Sequence, residues 1–163
     1  MPERGPRRLG AEALWKFALT ALGARAHSIG ELREKLGRRA QRAGDVDSIL
    51  SRLKQSGYLN DRSYAESYSA ARLENQGLGK IRVLRDLRRR RVAPPVAERA
   101  VEAAYRGSDE IKLIEDFVRR KYRKARPEAF LADPRDLAAA YRRLLRAGFG
   151  PANVIQTDRK SVV

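Results

Sequence analysis

The stretch GYLNDRSYA, residues 57–65, joins two predicted amphipathic helices and decides the fold of this chain. Gly57 can adopt the left-handed backbone conformation that closes a helix, and Asp61 can accept a backbone N–H as the N-cap of the next one. The apolar side chains of the corner and of the following helix are Tyr58, Leu59, Tyr64 and Ala65. This order of residues predicts a short, fixed junction between two small helical units.

Before this junction, hydrophobic periodicity predicts three helices within residues 11–60. The first covers about residues 11–22. The second opens with a capping box, S-x-x-E, formed by Ser28 and Glu31. The third has Asp45 as its predicted N-cap. Together they form the first predicted three-helix unit.

After the junction, the same pattern predicts a second unit over residues 61–107. Its first helix ends near Gly77, and a basic helix follows from Lys80 to about Val92. Two prolines then break the basic helix and suit the first turn of the next one. The predicted apolar row of the basic helix consists of Ile81, Leu84 and Leu87.

A third unit is predicted over residues 108–156, with Ser108 capping its first helix and Asp133 its second. Residues 1–10 are expected to form a flexible basic N-terminal tail, and residues 157–163 a C-terminal tail. Strand patterns do not recur along the sequence. We therefore predict an all-α fold, an elongated array of three tandem three-helix repeats with a period near 50 residues.

The repeat prediction rests on the pattern of apolar residues, because the amino-acid sequences of the units are only weakly identical. Residues 83–92, VLRDLRRRRV, can be set on residues 140–149, AYRRLLRAGF, and a helix that starts with proline follows each segment. The aligned apolar pairs are Leu84 with Tyr141, Leu87 with Leu144, and Val92 with Phe149. Each unit of such an array buries its apolar face against its neighbours.

Net charge is the second informative feature of the chain. The 36 Lys and Arg residues outnumber the 20 Asp and Glu residues, which gives a formal charge of +16. Most of the basic residues are arginines, whose guanidinium groups make bidentate contacts with phosphate or carboxylate. This balance favours a polyanionic partner: nucleic acid, a nucleoprotein filament or an acidic protein surface. A GC-rich genome could explain the choice of arginine, but it explains the excess of positive charge less well.

The composition offers little material for catalysis. The chain has no cysteine and one histidine, so disulfides and thiolate metal sites are excluded, and His27 has no second His or Cys with which to share a metal. It has no glycine loop followed by Lys-Ser/Thr that would hold nucleotide phosphates. It also lacks an apolar run near the ~18 residues of a membrane helix. Residues 1–10 are basic and contain no apolar segment, so we expect no secretory signal there. We expect a cytoplasmic protein that is not an enzyme and has no cofactor.

The run GYLND-x-x-YA and its flanks resemble the RecX family of regulatory proteins. The residues that carry the resemblance are Gly57, Tyr58, Leu59, Asn60, Asp61, Tyr64, Ala65, Arg72, Gly79, Ile81 and Leu87. The S-x-x-E-L-x-x-K-L segment of residues 28–36 and the Gly148-Phe149 pair are also similar to that family. The resemblance covers about residues 11–156.

This resemblance implies a regulator of the RecA recombinase that lodges in the groove of the RecA filament on single-stranded DNA. It implies inhibition of ATP hydrolysis, strand exchange and coprotease activity, and so modulation of recombination, DNA repair and the SOS response. Some family members also bind DNA themselves, so single-stranded and double-stranded DNA are expected partners. We expect a monomer with no membrane partner. The alternative is a helical protein that binds DNA or RNA directly, without RecA.

The densest positive charge lies within residues 80–126. At 100° per residue the consecutive arginines of the basic helix cannot share a face, but Arg82, Arg85 and Arg89 form one stripe. The predicted surface for RecA or DNA consists of Lys80, Arg82, Arg85, Arg88, Arg89, Arg119, Arg120, Lys121, Lys124, Arg142 and Arg143. The alternative is a solvated face whose arginine stems cover the core.

Aromatic residues are the weaker candidates for binding. Tyr58, Tyr64 and Tyr68 could stack on bases, but their helical spacing favours packing in the core. Trp15 is likewise expected to be buried in the first unit. For His27, which precedes the Ser28 cap, a capping or surface role is favoured over metal ligation.

Overall fold

The structure is a computed structural model that describes residues 7–123 and 133–161, with side chains described as far as Asp158. The described helices are α1 (Ala11–Ala24), α2 (Ile29–Gly37), α3 (Ala43–Gln55), α4 (Asp61–Gln76), α5 (Lys80–Arg89), α6 (Pro94–Ala104), α7 (Glu110–Lys121), α8 (Pro134–Arg146) and α9 (Pro151–Ser161). Within these ranges the β-pairing is limited to a single parallel bridge between Leu9 and Ala40. The predicted all-α fold is confirmed. Across the same residues, no helix is long and apolar enough to span a membrane.

The junction after α3 closes as the sequence predicts, but its N-cap is a different residue. Gly57 has a φ of +78°, and Tyr58 donates its N–H to the carbonyl of Leu53 at 2.9 Å, which completes a Schellman closure. Asn60, not Asp61, caps α4 by accepting the N–H of the third helical residue at 3.1 Å. The cap prediction was wrong because two adjacent residues can both cap a helix, and tertiary packing assigns Asp61 elsewhere.

Asp61 binds the start of α2, whose N-cap is Ser28, instead of capping its own helix. Its Oδ1 accepts the backbone N–H of Ile29, the first residue of α2, at 2.8 Å. The carboxylate therefore lies at the positive end of the α2 dipole, where a negative charge is stabilising. One side chain in the junction thus links α4 to a helix more than thirty residues earlier.

The other predicted caps were right at two helices and wrong at two. The capping box of Ser28 and the cap by Asp133 are both formed. Asp45 lies inside the first turn of α3, which begins at Ala43, and its carboxylate there faces the helix dipole rather than capping the helix. At α7 the cap is Asp109 and not Ser108, since the Asp109 carboxylate accepts the N–H of the second helical residue.

Buried apolar side chains form three clusters along the chain. The first includes Leu14, Leu32, Leu36, Leu50 and Leu53. The second includes Ala65, Val83, Leu87, Val101 and Tyr105, and the third Ile114, Phe117, Leu144, Phe149 and Val154. Leu78 and Leu113 pack against both the second and the third cluster. The three clusters follow each other along the chain in the order of the three predicted units. The residue numbers at which one unit ends and the next begins stay a prediction.

The clusters are connected by end-on contacts that recur at equivalent positions. In each contact the start of one helix donates a hydrogen bond to a carbonyl three residues after a buried leucine. The accepting carbonyls belong to Arg39, Arg90 and Ala147, and their donors are, in that order, the N–H of Leu9, the Oγ of Ser28 and the N–H of Gly79. The starts of α1, α2 and α5 therefore rest on the ends of α2, α5 and α8.

We call the contact of α2 with α5 the first joint and that of α5 with α8 the second joint. The second joint requires glycine on both sides. A Cβ on Gly79 would collide with the carbonyl of Gly148, and a Cβ on Gly148 would collide with the backbone of Arg82. At the first joint Gly30 faces Arg91, which has a φ of +59°. Both joints therefore bring backbone close to backbone.

Candidate functional site

Helix α5 buries one face and exposes a row that includes Ile81. Val83 and Leu87 are fully buried and Leu84 is half-buried, whereas Ile81 is 46% exposed. The prediction that Ile81 belongs to the apolar row was therefore wrong. Val83 takes that place because it lies four residues before Leu87, on the same side of the helix.

Several basic residues of α5 have partners within the fold. Lys80 lies 3.3 Å from Glu102, and Arg88 lies 3.9 Å from Glu98. Arg82 pairs with Asp86 at 3.1 Å and also donates to the carbonyl of Arg146, across the second joint, at 3.2 Å. These side chains hold α5 to its neighbours and are only partly available to a partner molecule.

Arg85 and Arg89 are exposed and have no acidic partner in the described part of the chain. When the sequences of α5 and α8 are aligned with Leu87 on Leu144, Arg85 aligns with Arg142 and Arg89 aligns with Arg146. Arg142 and Arg146 are also exposed. None of these four side chains forms an ion pair with a described carboxylate. We call Arg85, Arg89, Arg142 and Arg146 the arginine row; Arg146 was not in the predicted surface.

The remaining predicted basic residues lie at the end of α7 and on α8. Arg119 pairs with Asp116 at 3.3 Å, and Arg120 packs its guanidinium over Gly77, the C-cap of α4, where a cation is favourable. Arg143 donates to the hydroxyl of Tyr122 at 3.3 Å. Lys121 is exposed. Lys124 lies outside the described residues.

Most residues of the family motif have a structural role. Leu59, Ala65 and Leu87 are buried, and Arg72 lies over the ring of Tyr68 with 4.8 Å between the guanidinium carbon and the ring centroid. Tyr58 is 65% exposed, so the prediction of core packing was wrong for this tyrosine. Because Leu59 takes the buried corner position, the neighbouring side chain faces solvent.

The other three aromatic candidates, Tyr64, Tyr68 and Trp15, are half-buried and pack against the core clusters of their units. Tyr64 and Tyr68 stack on each other, with 6.2 Å between ring centroids. Trp15 lies under the guanidinium of Arg52, with 4.0 Å between the guanidinium carbon and the ring centroid. These rings pack against arginines of their own chain, which favours the structural reading over base stacking.

Arg90 organises the first joint, a role that no local pattern in the sequence predicts. Its guanidinium donates to the hydroxyl of Tyr64 at 3.1 Å and to Glu31 at 3.4 Å, and it lies over the ring of Tyr68. Burial raises the pKa of Tyr64, an effect that the hydrogen bond from Arg90 opposes. The capping box predicted that Glu31 reaches Ser28. Glu31 also binds the nearby Arg25, and Arg90, which is 59 residues away along the chain.

His27 is buried beside the first joint. Its Nδ1 lies 2.9 Å from the carbonyl of Arg25, and burial lowers its pKa. The described residues contain no group of His, Cys, Asp and Glu side chains that could hold a metal ion. The surface role expected for His27 was wrong, because its ring fills space at the start of α2.

Comparison with known proteins agrees with this arrangement. A family model for RecX, second three-helix domain, matches residues 60–101. The regulatory protein RecX of Deinococcus radiodurans is 36% identical over 139 residues, which cover 85% of this chain and 63% of that protein. The regulatory protein RecX of Trichlorobacter lovleyi is 32% identical over 132 residues, covering 81% of this chain and 84% of that protein.

The fold is also that of solved structures. The crystal structure of RecX from Lactobacillus salivarius superposes with a TM-score of 0.68 at 17% identity, covering 93% of this chain and 96% of that chain. At this identity the likeness concerns the fold alone. The sequence relatives carry the assignment: this chain belongs to the RecX family of regulatory proteins.

Proposed function

We propose that this protein binds the RecA recombinase and its filament on single-stranded DNA, and inhibits ATP hydrolysis, strand exchange and coprotease activity. Its family membership supports a regulatory role. Its net charge of +16 supports a polyanionic partner such as a nucleoprotein filament. Acting without catalysis of its own, it would modulate recombination, DNA repair and the SOS response.

The arginine row is the observation that carries the choice of surface. Elsewhere in the described chain, Arg33, Arg38, Arg62 and Arg91 each lie within 2.9 Å of a carboxylate. An arginine that already has an internal partner gives up that contact when it binds a phosphate or an acidic side chain. The residues of the arginine row give up only water and counterions when they bind a polyanion. Arg99 and Arg106 are also exposed without an ion pair, whereas the row repeats at equivalent positions of α5 and α8, which favours one shared surface.

Inhibition follows from holding the filament in one arrangement. The two joints place the starts of α2 and α5 against the ends of α5 and α8, backbone against backbone, so the arginine row has a fixed geometry. A rigid surface that contacts neighbouring RecA protomers binds one filament state better than the states through which ATP turnover passes. That difference in affinity opposes turnover.

A titration of RecA ATPase activity on single-stranded DNA tests this proposal. We expect the wild type to inhibit, and the R85A/R89A/R142A variant to need a higher concentration for the same inhibition. The salt slope of its filament binding should fall by about 2–3. The matched control is R33A/R38A/R62A, which loses the same charge from paired, exposed positions. Equal losses in both variants would show that net charge, not the arginine row, determines binding.

The alternative is direct binding to DNA or RNA without RecA, because the arginine row could equally contact phosphates. Affinities for bare single-stranded DNA and for RecA-coated DNA separate the two functions. Equal affinity for both, with no effect on ATPase activity at any ratio, would favour the alternative.

A further inference from the structure

We infer that Ile81 is an apolar anchor that contacts a RecA subunit within the filament, while the arginine row beside it contacts acidic groups. This inference rests on the proposed function and assigns to one side chain the recognition of protein rather than nucleic acid. It starts from the exposure of Ile81, which the fold does not explain.

The core does not need isoleucine at position 81. Val83 and Leu87 are completely buried and supply the packing of α5, while 46% of Ile81 remains exposed. Helix propensity does not favour it either, because a β-branched side chain loses rotamer freedom in a helix and is less favourable there than Lys, Glu or Ala. A single exposed apolar side chain is common on protein surfaces, so what distinguishes Ile81 is its place beside Arg85 at the second joint.

The surroundings of Ile81 are positively charged on both sides of the second joint. Arg85 and Arg89 follow it at intervals of four residues, about 6 Å apart along α5. In the other direction, its N–H donates to the carbonyl of Gly148 at 3.2 Å, so the end of α8, where Arg146 lies, adjoins it. Ile81 therefore lies between Arg85 on α5 and the end of α8 that carries Arg146.

An apolar side chain next to arginines fits a protein surface better than a phosphate backbone. The arginines alone would suffice to bind phosphates, because the isoleucine side chain offers a phosphate neither a hydrogen bond nor a charge. Protein interfaces have central apolar anchors with arginine among their enriched residues, and a polar rim around them. The complementary surface is an apolar recess next to carboxylates, and we assign it to the RecA subunit.

The test compares Ile81→Ser with Ile155→Ser in the full chain. Ile155, on α9, is the matched control because it is the same residue type with the same exposed fraction, 46%. Binding is measured to RecA-coated and to bare single-stranded DNA at two salt concentrations. We expect Ile81→Ser to weaken filament binding roughly tenfold. Its affinity for bare DNA and its salt slope should stay unchanged, and Ile155→Ser should behave as wild type.

Two further variants separate an anchor from a folding effect. Ile81→Leu keeps the apolar surface and should retain most of the filament affinity, whereas R85A/R89A should lower the salt slope on both substrates. Thermal unfolding of each variant shows whether the fold is intact. A loss that Ile81→Leu restores, at unchanged unfolding temperature, belongs to the interface.

Three outcomes would overturn the inference. Ile81→Ser could bind the filament like wild type while the wild type still inhibits ATPase activity; the proposed function would then stand without the anchor. It could weaken binding to bare DNA in proportion, which would place Ile81 between bases as a wedge. Finally, a wild type without any effect on RecA would refute the proposed function and the anchor together.

Discussion

His27 is the one side chain of this protein that titrates near neutral pH and is also buried. It precedes the N-cap of α2, and the charged groups around it are Arg25, Glu31 and Lys35. Burial is the main cause that lowers its pKa, and Arg25 and Lys35 act in the same direction. The Nε2 atom has no hydrogen-bond partner among the described residues, so the neutral ring is the form that the fold accommodates.

We therefore expect stability to fall as the pH falls below 6.5, the ordinary pKa of histidine. The unfolded chain takes up a proton there that the folded chain binds less readily, so protons favour unfolding. Between pH 7.5 and 5.5, urea denaturation of the wild type should show a loss of up to about 1 kcal/mol. In His27→Gln, whose amide can still donate to the Arg25 carbonyl, the loss should disappear. An equal loss in that variant would exclude His27 as its cause.

The structure of this region also shows which residue roles are readable from sequence. The closure at Gly57 and the capping box of Ser28 were predictable because each depends on partners within a few residues. The exchange of roles between Asn60 and Asp61 was not, since Asp61 binds the N–H of Ile29, on another helix. Local chemistry names the residues that can cap, and packing decides which helix end each of them meets.

At the scale of elements, the joints connect helices by their ends rather than by long faces. In the second joint the N–H groups of Gly79 and Ile81 donate to the carbonyls of Ala147 and Gly148 at 2.8 and 3.2 Å. Unpaired groups at the start of α5 thereby satisfy unpaired groups at the end of α8. Few side chains are involved, so the joint depends on close approach of the two backbones.

Replacing Gly79 with alanine should therefore destabilise the protein. The added Cβ would collide with the carbonyl of Gly148, and neither backbone segment can move without breaking the joint. We expect a loss of about 1–3 kcal/mol in the free energy of unfolding, measured by urea denaturation. Gly23→Ala is the matched control: no atom lies near its added Cβ, and alanine in a helix should stabilise by about 0.5–1 kcal/mol. A neutral Gly79→Ala would mean that the two backbones are not in contact.

These joints were the part of the fold that the sequence could not predict. The overlay of Leu87 on Leu144 indicated that α5 and α8 are equivalent helices, and the structure buries both leucines. Nothing in the pattern indicated that the start of one helix rests on the end of the other, because the contacting atoms are mainly backbone. Ile81 was not predictable either, because its spacing predicted burial although 46% of it is exposed at the second joint.

At the scale of the whole molecule, α5 and α8 carry exposed arginines without an internal carboxylate partner at equivalent positions. In α2, Glu34 lies two residues before the buried Leu36. The equivalent positions of α5 and α8, two residues before Leu87 and Leu144, are occupied by Arg85 and Arg142. Glu34 pairs with Arg38 at 2.5 Å and with Arg91, across the first joint, at 2.7 Å. The hydrogen bond from Arg91 is the main cause that lowers the pKa of Glu34. The equivalent position of α2 therefore carries a carboxylate, so the arginine row does not continue onto α2.

Removing that carboxylate should extend the row. Glu34→Gln frees Arg38 and Arg91 from their acidic partner without removing either arginine, so both become available to a polyanion. We expect tighter binding to RecA-coated single-stranded DNA at low salt, with a salt slope that steepens by about 1–2. The control is Glu74→Gln on α4, an exposed position with no ion pair in the described chain, which makes the same change in net charge. If both variants steepen the slope equally, binding responds to net charge alone; a steeper slope in Glu34→Gln only would show that Glu34 sets the length of the binding surface.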